Sequence, residues 1–447
     1  MNPYKEYQST EYDWLPKVPR HWNKRYLFQV NDEQSISNKN VHHQNLLSLS
    51  YGNIIKKDIN STKGLLPESF DTYQVVHNEN IILRLTDLQN DHKSLRVGFV
   101  TQTGIITSAY TCLKPKNVSS KFIHYLLHAY DLRKVFYGMG GGLRQSIGFK
   151  ELKYLHLYIP SLPEQDQIVK YLDFKISKIN KFIKDKKREI ELLKELKQAE
   201  INHAVTKGLN PNVSMKNSGI NWLGEMPEHW EVRFLSQVCK EQSILNKTFK
   251  NQNLLSLSYG KVVNKDINTT EGLLPASFDT YQVVDRGNII LRLTDLQNDH
   301  KSLRTGLVTQ TGIITSAYTC ILPNSSIIPE YLHLLLHSFD VCKVFYGMGG
   351  GLRQSIGFKE IRRLFMLLPP MDEQKEIIKK CYVITSNIEK MISGIESEIS
   401  LTQEYKNSLT CNVVTGKVDV RNVTIDETFE VDTLDEIEAE TEEVIEE

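Results

Sequence analysis

The chain has 447 residues, room for two or three domains at about 100–200 residues each. Apolar residues make up 40% and charged residues 24%, the balance of an ordinary globular protein rather than a disordered or fibrous one. No apolar run reaches the roughly 18–20 residues that span a bilayer, and residues 1–14 lack a basic-then-apolar leader pattern, so the expected location is the cytoplasm, with no membrane partner. The formal net charge of zero conceals an uneven distribution. Residues 426–447 hold 12 carboxylates and no Lys or Arg, which leaves 54 basic residues against 42 acidic ones in the rest. A body of that sign suits a polyanionic partner, although many soluble proteins carry a similar excess. The tail reads as a disordered, solvating segment. The six cysteines form no C-x-x-C pair, so neither a zinc knuckle nor a disulfide framework is expected.

The chain is written twice. Residues 46–113 align without a gap with residues 254–321, and 55 of the 68 positions are identical. Residues 134–151 match residues 343–360 at all 18 positions. A period near 200 residues is too long for a solenoid unit and means two copies of a whole domain with its connector.

In chain order, each copy begins with strand-like segments. Residues 46–51 partly alternate and stop at Gly52; residues 80–85 are an apolar run before a polar loop; residues 97–100 and 104–108 are short Thr-, Val- and Ile-rich runs beside glycines. A helix is predicted near 120–136, with Phe122, Leu126, Leu127 and Val135 on one face, ending at the glycine cluster 138–142. A last strand near 154–159 runs into Pro160. The fold class is therefore α+β, in domains of about 150 residues.

A long charged helix follows each domain, over 164–206 and 373–415. Leu172, Ile176, Ile179, Ile183, Ile190 and Leu193 follow four–three spacing, with Lys186 in the gap. Ile377, Cys381, Ile384, Ile388, Met391 and Ile395 repeat the pattern, with Tyr405 and Leu409 continuing it more loosely. Pro163 and Pro370, with Glu164, Asp372 and Glu373, suit helix starts. Such helices run about 64 Å at 1.5 Å per residue, about twice the roughly 30 Å width of a 150-residue domain. They overhang their own domains, and pairing with each other as a coiled coil is the expected outcome. The expected boundaries are domain 1–159, helix 160–208, domain 209–368, helix 369–416 and tail 417–447.

Residues 218–230, SGINWLGEMPEHW, closely resemble the segment that opens the second target-recognition domain of specificity subunits in Type I restriction–modification systems. Residues 159–165 and 368–374, IPSLPEQ and LPPMDEQ, resemble the proline–glutamine start of that family's long helices, and residues 204–209 and 413–420 resemble their ends. The resemblance covers about residues 10–422. It implies two near-identical target-recognition domains, each reading half of a split site in double-stranded DNA, and two helices paired antiparallel as a coiled coil. It also implies two methyltransferase subunits and restriction subunits as partners. S-adenosylmethionine, ATP and Mg are then expected on those partners, with no cofactor, metal or catalytic residue here. No G-x-x-x-x-G-K-[ST] loop and no N-P-P-[YF] motif is present. His42 and His43 have Lys250 and Asn251 as counterparts, which argues against a metal site. The alternatives are a DNA methyltransferase or nuclease with a fused reading domain, or a coiled-coil adaptor without DNA readout.

With that resemblance, two segments become DNA-binding candidates. The first is the polar loop 84–96, with Arg84, Asp87, Gln89, Asn90, His92, Lys93 and Arg96. It recurs unchanged as Arg292, Asp295, Gln297, Asn298, His300, Lys301 and Arg304. Arginine takes guanine bidentately, Asn and Gln take adenine, and Lys93 and Arg96 suit phosphates. The competing reading is a solvated loop whose Asp87 and Asp91 pair internally with its arginines. The second candidate is Tyr137, Gly140, Arg144, Gln145 and Ser146, recurring as Tyr346, Gly349, Arg353, Gln354 and Ser355. Its glycines follow a helix rather than a strand and so do not read as a nucleotide fingerprint; they fit close backbone approach to DNA or a plain turn equally well.

Overall fold

The computed structural model describes residues 2–60, 67, 69–139, 146–220, 223–247, 253–266, 277–297, 299, 302–348 and 355–425. The chain divides into two compact units, residues 1–186 with 397–447 and residues 187–396. Each unit therefore holds one end of each long helix.

In the first unit a four-stranded antiparallel sheet runs in the order Val97–Phe99, Ile81–Leu83, Thr111–Pro115, Asn31–Gln34. A five-stranded sheet runs Ile36–Ser37, Gln74–Val76, Gly104–Ile106, Leu46–Ser50, Asn53–Lys57, with one parallel pair, Gly104–Ile106 against Leu46–Ser50. Ile81, Ile82 and Leu83 are wholly buried, because both faces of that central strand are covered. The second unit repeats the four-stranded sheet as Thr305–Leu307, Ile289–Leu291, Thr319–Pro323, Cys239–Gln242. Gly98 illustrates why these strands carry glycine: a Cβ there would sit 2.6 Å from Leu49 Cδ1 and 2.7 Å from Ile54 Cδ1.

The helix Ser120–Leu132 packs Phe122, Ile123, Leu126, Leu127 and Tyr130 into the first unit's main core, and Pro329–Val341 does the same in the second. It ends earlier than the sequence reading placed it. Lys134 takes a left-handed φ of 58°, and Val135–Gly138 forms a separate 3-10 turn, so the stop precedes the glycines. A strand that closes on the domain's beginning, His156–Ile159 against Asn23–Tyr26, leads into the first long helix.

The long helices are Leu162–Lys207 and Met371–Val414. In the first unit Ile168, Tyr171 and Leu172 share a core with Leu409, Cys411, Val413 and Val414; Asn180 accepts from Lys406 Nζ at 3.2 Å; Lys186 meets Glu398 at 3.2 Å. Rising numbers on one helix meet falling numbers on the other, so the pair is antiparallel. In the second unit Ile201, Ala204 and Val205 join Ile377 and Cys381, and Lys197 meets Glu389 at 3.8 Å, again antiparallel.

Leu172, Ile183, Ile190, Leu193, Ile377, Ile388 and Ile395 are buried, and Ile176, Ile179 and Ile384 are partly so. Met391 is not in the seam: it is 51% exposed, and Ile392 takes the inward place. Two successive steps of four, 384 to 388 to 392, shift the seam by one residue there, as a stutter does. Tyr405 is likewise 52% exposed, and Lys406 occupies the seam, where burial pushes its ammonium pKa down.

Residues 417–425, assigned to the tail from sequence, belong to the folded body instead. Val420 is wholly buried, Val418 and Ile425 pack on the first core, and Gln167 Nε2 donates to the carbonyls of Val420 and Val423 at 3.1 and 2.8 Å. Alternating valines in an otherwise polar segment explain this. The acidic residues from 426 onward lie outside the described residues.

Candidate nucleic-acid interface

The loop 84–96 leaves the central strand Ile81–Leu83 and returns to Val97–Phe99. Its base is closed by Arg84 N–H donating to Arg96 O at 2.9 Å. Leu85 and Leu88 are buried anchors, while Gln89, Asn90, His92 and Lys93 stand exposed at the tip. Asn90 Nδ2 donates to Asp87 Oδ1 at 2.7 Å, and Asp91 Oδ1 accepts from the backbone of Lys93 and Ser94 at 3.2 and 2.9 Å. Burial raises the Asp91 pKa, but the Ser94 and Lys93 hydrogen bonds and the Arg96 charge outweigh it and leave the carboxyl at about 2. Arg84 is one-third exposed and pairs with Asp91 at 3.7 Å; Arg292 pairs with Asp299 at 3.2 Å. The internal pairing of Asp91 with the arginines is thus present.

Arg96 and Arg304 correct the sequence reading. Both have zero exposure and cannot reach a phosphate. Arg96 Nη1 donates to the carbonyls of Arg84 and Thr86 at 3.2 and 2.7 Å, Nη2 to those of Asp87 and Asp91, and Nε to the Tyr137 hydroxyl at 3.2 Å. Charge is visible in a sequence; the four carbonyls that surround it are not. The Arg96 N–H donates to Asp131 Oδ2 at 2.6 Å, and the Arg304 N–H to Asp340 in the same way. Burial raises both of these carboxyls to about 6.

Tyr137 joins the two candidate segments. Its hydroxyl donates to Asp91 O at 3.3 Å, its ring stacks on His92 at 5.1 Å, and Lys134 Nζ donates to His92 O at 2.7 Å. Beyond the glycine run, Ile147 N–H donates to Leu85 O at 2.9 Å, and Ile356 to Leu293 at 2.9 Å. Tyr346 contacts Asp299 O at 3.3 Å. Ser146 and Ser355 are exposed; Gln297 is exposed and Asp295, like Asp87, is half-buried. Gly140, Arg144, Gln145, Asn298, His300, Lys301, Gly349, Arg353 and Gln354 lie outside the described residues.

Asp131 and Asp340 were not picked out from sequence. A signal existed: between the helices Ser120–Leu132 and Pro329–Val341 the polar positions that stay the same are His124/His333, His128/His337 and Asp131/Asp340. Gln165 has a structural role too. Gln165 Oε1 accepts from Ser119 N–H at 2.8 Å while its Nε2 donates to Pro160 O at 2.9 Å, so it clamps the start of one helix to the start of another; Gln374 repeats this with Ile328 and Pro369. Among the described residues no group of three or more His, Cys, Asp or Glu is placed to hold a metal, and no helix is long and apolar enough to cross a membrane.

Each unit by itself combines an α+β fold with an antiparallel pair of long-helix segments. The family model for the Type I restriction modification DNA specificity domain matches residues 50–192. The chain is 26% identical over 374 residues to the type I restriction enzyme MjaVIII specificity subunit of Methanocaldococcus jannaschii, covering 78% of this chain and 82% of that one. It is 27% identical over 316 residues to the MjaX specificity subunit of the same organism, covering 67% and 68%. A chain from a structural study of complex assembly and conformational transition in the type I R-M system shares the fold, with a TM-score of 0.60 at 12% identity over 90% of this chain and 99% of that chain. Over residues 50–192 the chain is thus similar to the Type I restriction modification DNA specificity domain, and over 67–78% of its length to two specificity subunits of Type I restriction enzymes.

Proposed function

We propose that this chain directs a Type I complex to a bipartite site in double-stranded DNA whose two halves are the same sequence on opposite strands, an interrupted palindrome. One observation carries the reading: the loops 84–96 and 292–304 are identical in sequence and are closed by the same buried arginine and the same carbonyls. In the family that the chain resembles the two long helices pair antiparallel, an arrangement in which equal readers meet equal bases on opposite strands. The proposed reading domains are residues 1–159 and 209–368, each followed by a long helix, within 160–208 and 369–416. Arg84 and Arg292 are assigned to guanine, with Gln89, Asn90, Lys93 and their counterparts beside them.

Two methyltransferase subunits dock on the exposed apolar positions of the long helices, such as Leu192, Leu196, Tyr382, Val383, Leu401 and Tyr405. Restriction subunits join that core, and S-adenosylmethionine, ATP and Mg act there, in the cytoplasm. Co-expression with the methyltransferase partner tests this. The expected product is a complex of two methyltransferase subunits to one copy of this chain that methylates DNA, while the isolated chain methylates and cuts nothing. Methylation or cleavage by the isolated chain overturns the proposal.

A further inference from the structure

We infer that Arg96 and Arg304 are positioning residues for sequence readout: they touch no base, yet they set the shape on which reading by Arg84 and Arg292 depends. The inference rests on the proposed reading role of the loop 84–96. A guanidinium has five N–H donors in a rigid fork. Those of Arg96 reach four loop carbonyls and the Tyr137 hydroxyl, and none faces solvent. Carbonyls from Arg84, Thr86, Asp87 and Asp91 converge on one point only because a buried multivalent donor stands there. Without it, buried acceptors lose their partners and the loop has no reason to keep this path.

The backbone supports the same view. Asp87 and Asp295 hold matching left-handed φ angles of 57° and 58°, so the two loops share the same backbone turn beside the arginine. Asp91 lies 3.6 Å from Arg96 and 3.7 Å from Arg84, so the buried cation and the candidate reading cation share one carboxylate. Tyr137 bonds to the same arginine, and Ile147 N–H donates to Leu85 O, one residue after Arg84. In the second unit Arg304 donates to the carbonyls of Arg292, Thr294, Asp295 and Asp299 and to the Tyr346 hydroxyl at 2.9 Å. The loop and the tyrosine that precedes the glycine run therefore gather around one buried arginine in each unit. Lysine cannot substitute, because its three donors leave one atom and cannot fork among these acceptors.

The test uses the full chain co-expressed with its methyltransferase subunits. A duplex enriched by the unaltered complex from a random double-stranded library is one probe, and a shuffled duplex of equal length is the other. Arg96→Lys with Arg304→Lys is expected to weaken binding to the enriched duplex about tenfold. Binding to the shuffled duplex and the salt slope stay unchanged, because no phosphate contact is lost. Tyr137→Phe with Tyr346→Phe removes only hydroxyls and gives a smaller loss of the same kind, which keeps the test sound if the lysine pair does not fold. An unchanged ratio between the two probes for both pairs overturns the inference, as does an equal loss on both probes with a shallower salt slope. Arg84→Ala with Arg292→Ala separates the two claims. If that pair loses specific binding and the buried pairs do not, positioning fails and reading stands; if that pair loses nothing, reading itself fails.

Discussion

The indole N–H of Trp22 donates to the Glu164 carboxylate at 3.1 Å, and Trp230 does the same to Glu373 at 3.0 Å. Two motifs about 140 residues apart, His-Trp near each domain's beginning and Glu-Gln at each long helix's start, are thus one joint made twice. His21 and His229 add a second contact at 2.8 Å each, and in the first unit the Tyr4 hydroxyl adds a third at 2.8 Å. The helix N-terminus favours the negative charge of the shared acceptor.

Glu164→Ala leaves the buried Trp22 and Tyr4 donors without their acceptor and is expected to cost about 2–4 kcal/mol. Glu373→Ala removes fewer donors at a more exposed carboxylate and costs about 1–2 kcal/mol by the same reasoning. Thermal denaturation followed by tryptophan fluorescence measures both. Equal midpoints for the two variants would count against this asymmetry.

Acid sensitivity follows from the paired histidines. His124, His128, His333 and His337 each have a ring nitrogen closed off from solvent with no partner. Burial holds His124 at about 3 and the other three at about 4, helped by neighbouring Lys121, Lys406 and Lys197 and by the paired rings. Their unfolded value is about 6.5, so their contribution is complete above that pH and is lost as pH falls toward 4. Asp131 and Asp340 act oppositely: with folded values near 6, they gain relative stability on acidification between about 6 and 3.8. Four groups outweigh two, so the melting midpoint is expected to fall from pH 7 to pH 5. His124→Leu with His333→Leu is expected to flatten that fall. A midpoint independent of pH over this range would contradict the account.

The seam gives a sharper comparison. Ile388 is buried and Met391, three residues on, is half exposed. Ile388→Ala is expected to destabilise by about 2–5 kcal/mol and Met391→Ala by no more than about 0.5 kcal/mol. Comparable losses would restore Met391 to the seam.

The repeat, the long helices and most inward positions were legible because they follow local periodicity. The register shift at Ile392 was not, since Met391 and Ile392 are both apolar and only packing chooses between them. Pairing of His156–Ile159 with Asn23–Tyr26 spans the whole domain and leaves no local signal. In the candidate site, the polar loop stood out by its composition. Burial of Arg96 did not, because its acceptors are backbone carbonyls that every residue carries. The clamp made by Gln165 was seen as a motif but had no physical role until its partners were in view.

Single-molecule sequencing of N6-methyladenine in the host genome, with and without this gene, tests the central claim most directly. The account expects a bipartite motif that disappears with the gene and whose halves are reverse complements of each other across unread bases. The copies differ at His77/Asp285, Asn78/Arg286, Glu79/Gly287, Lys56/Asn264 and Lys63/Glu271, and a base contact at one of these makes the halves differ at one position. A gene-dependent motif with unrelated halves would contradict the claim that the duplicated loops carry the specificity.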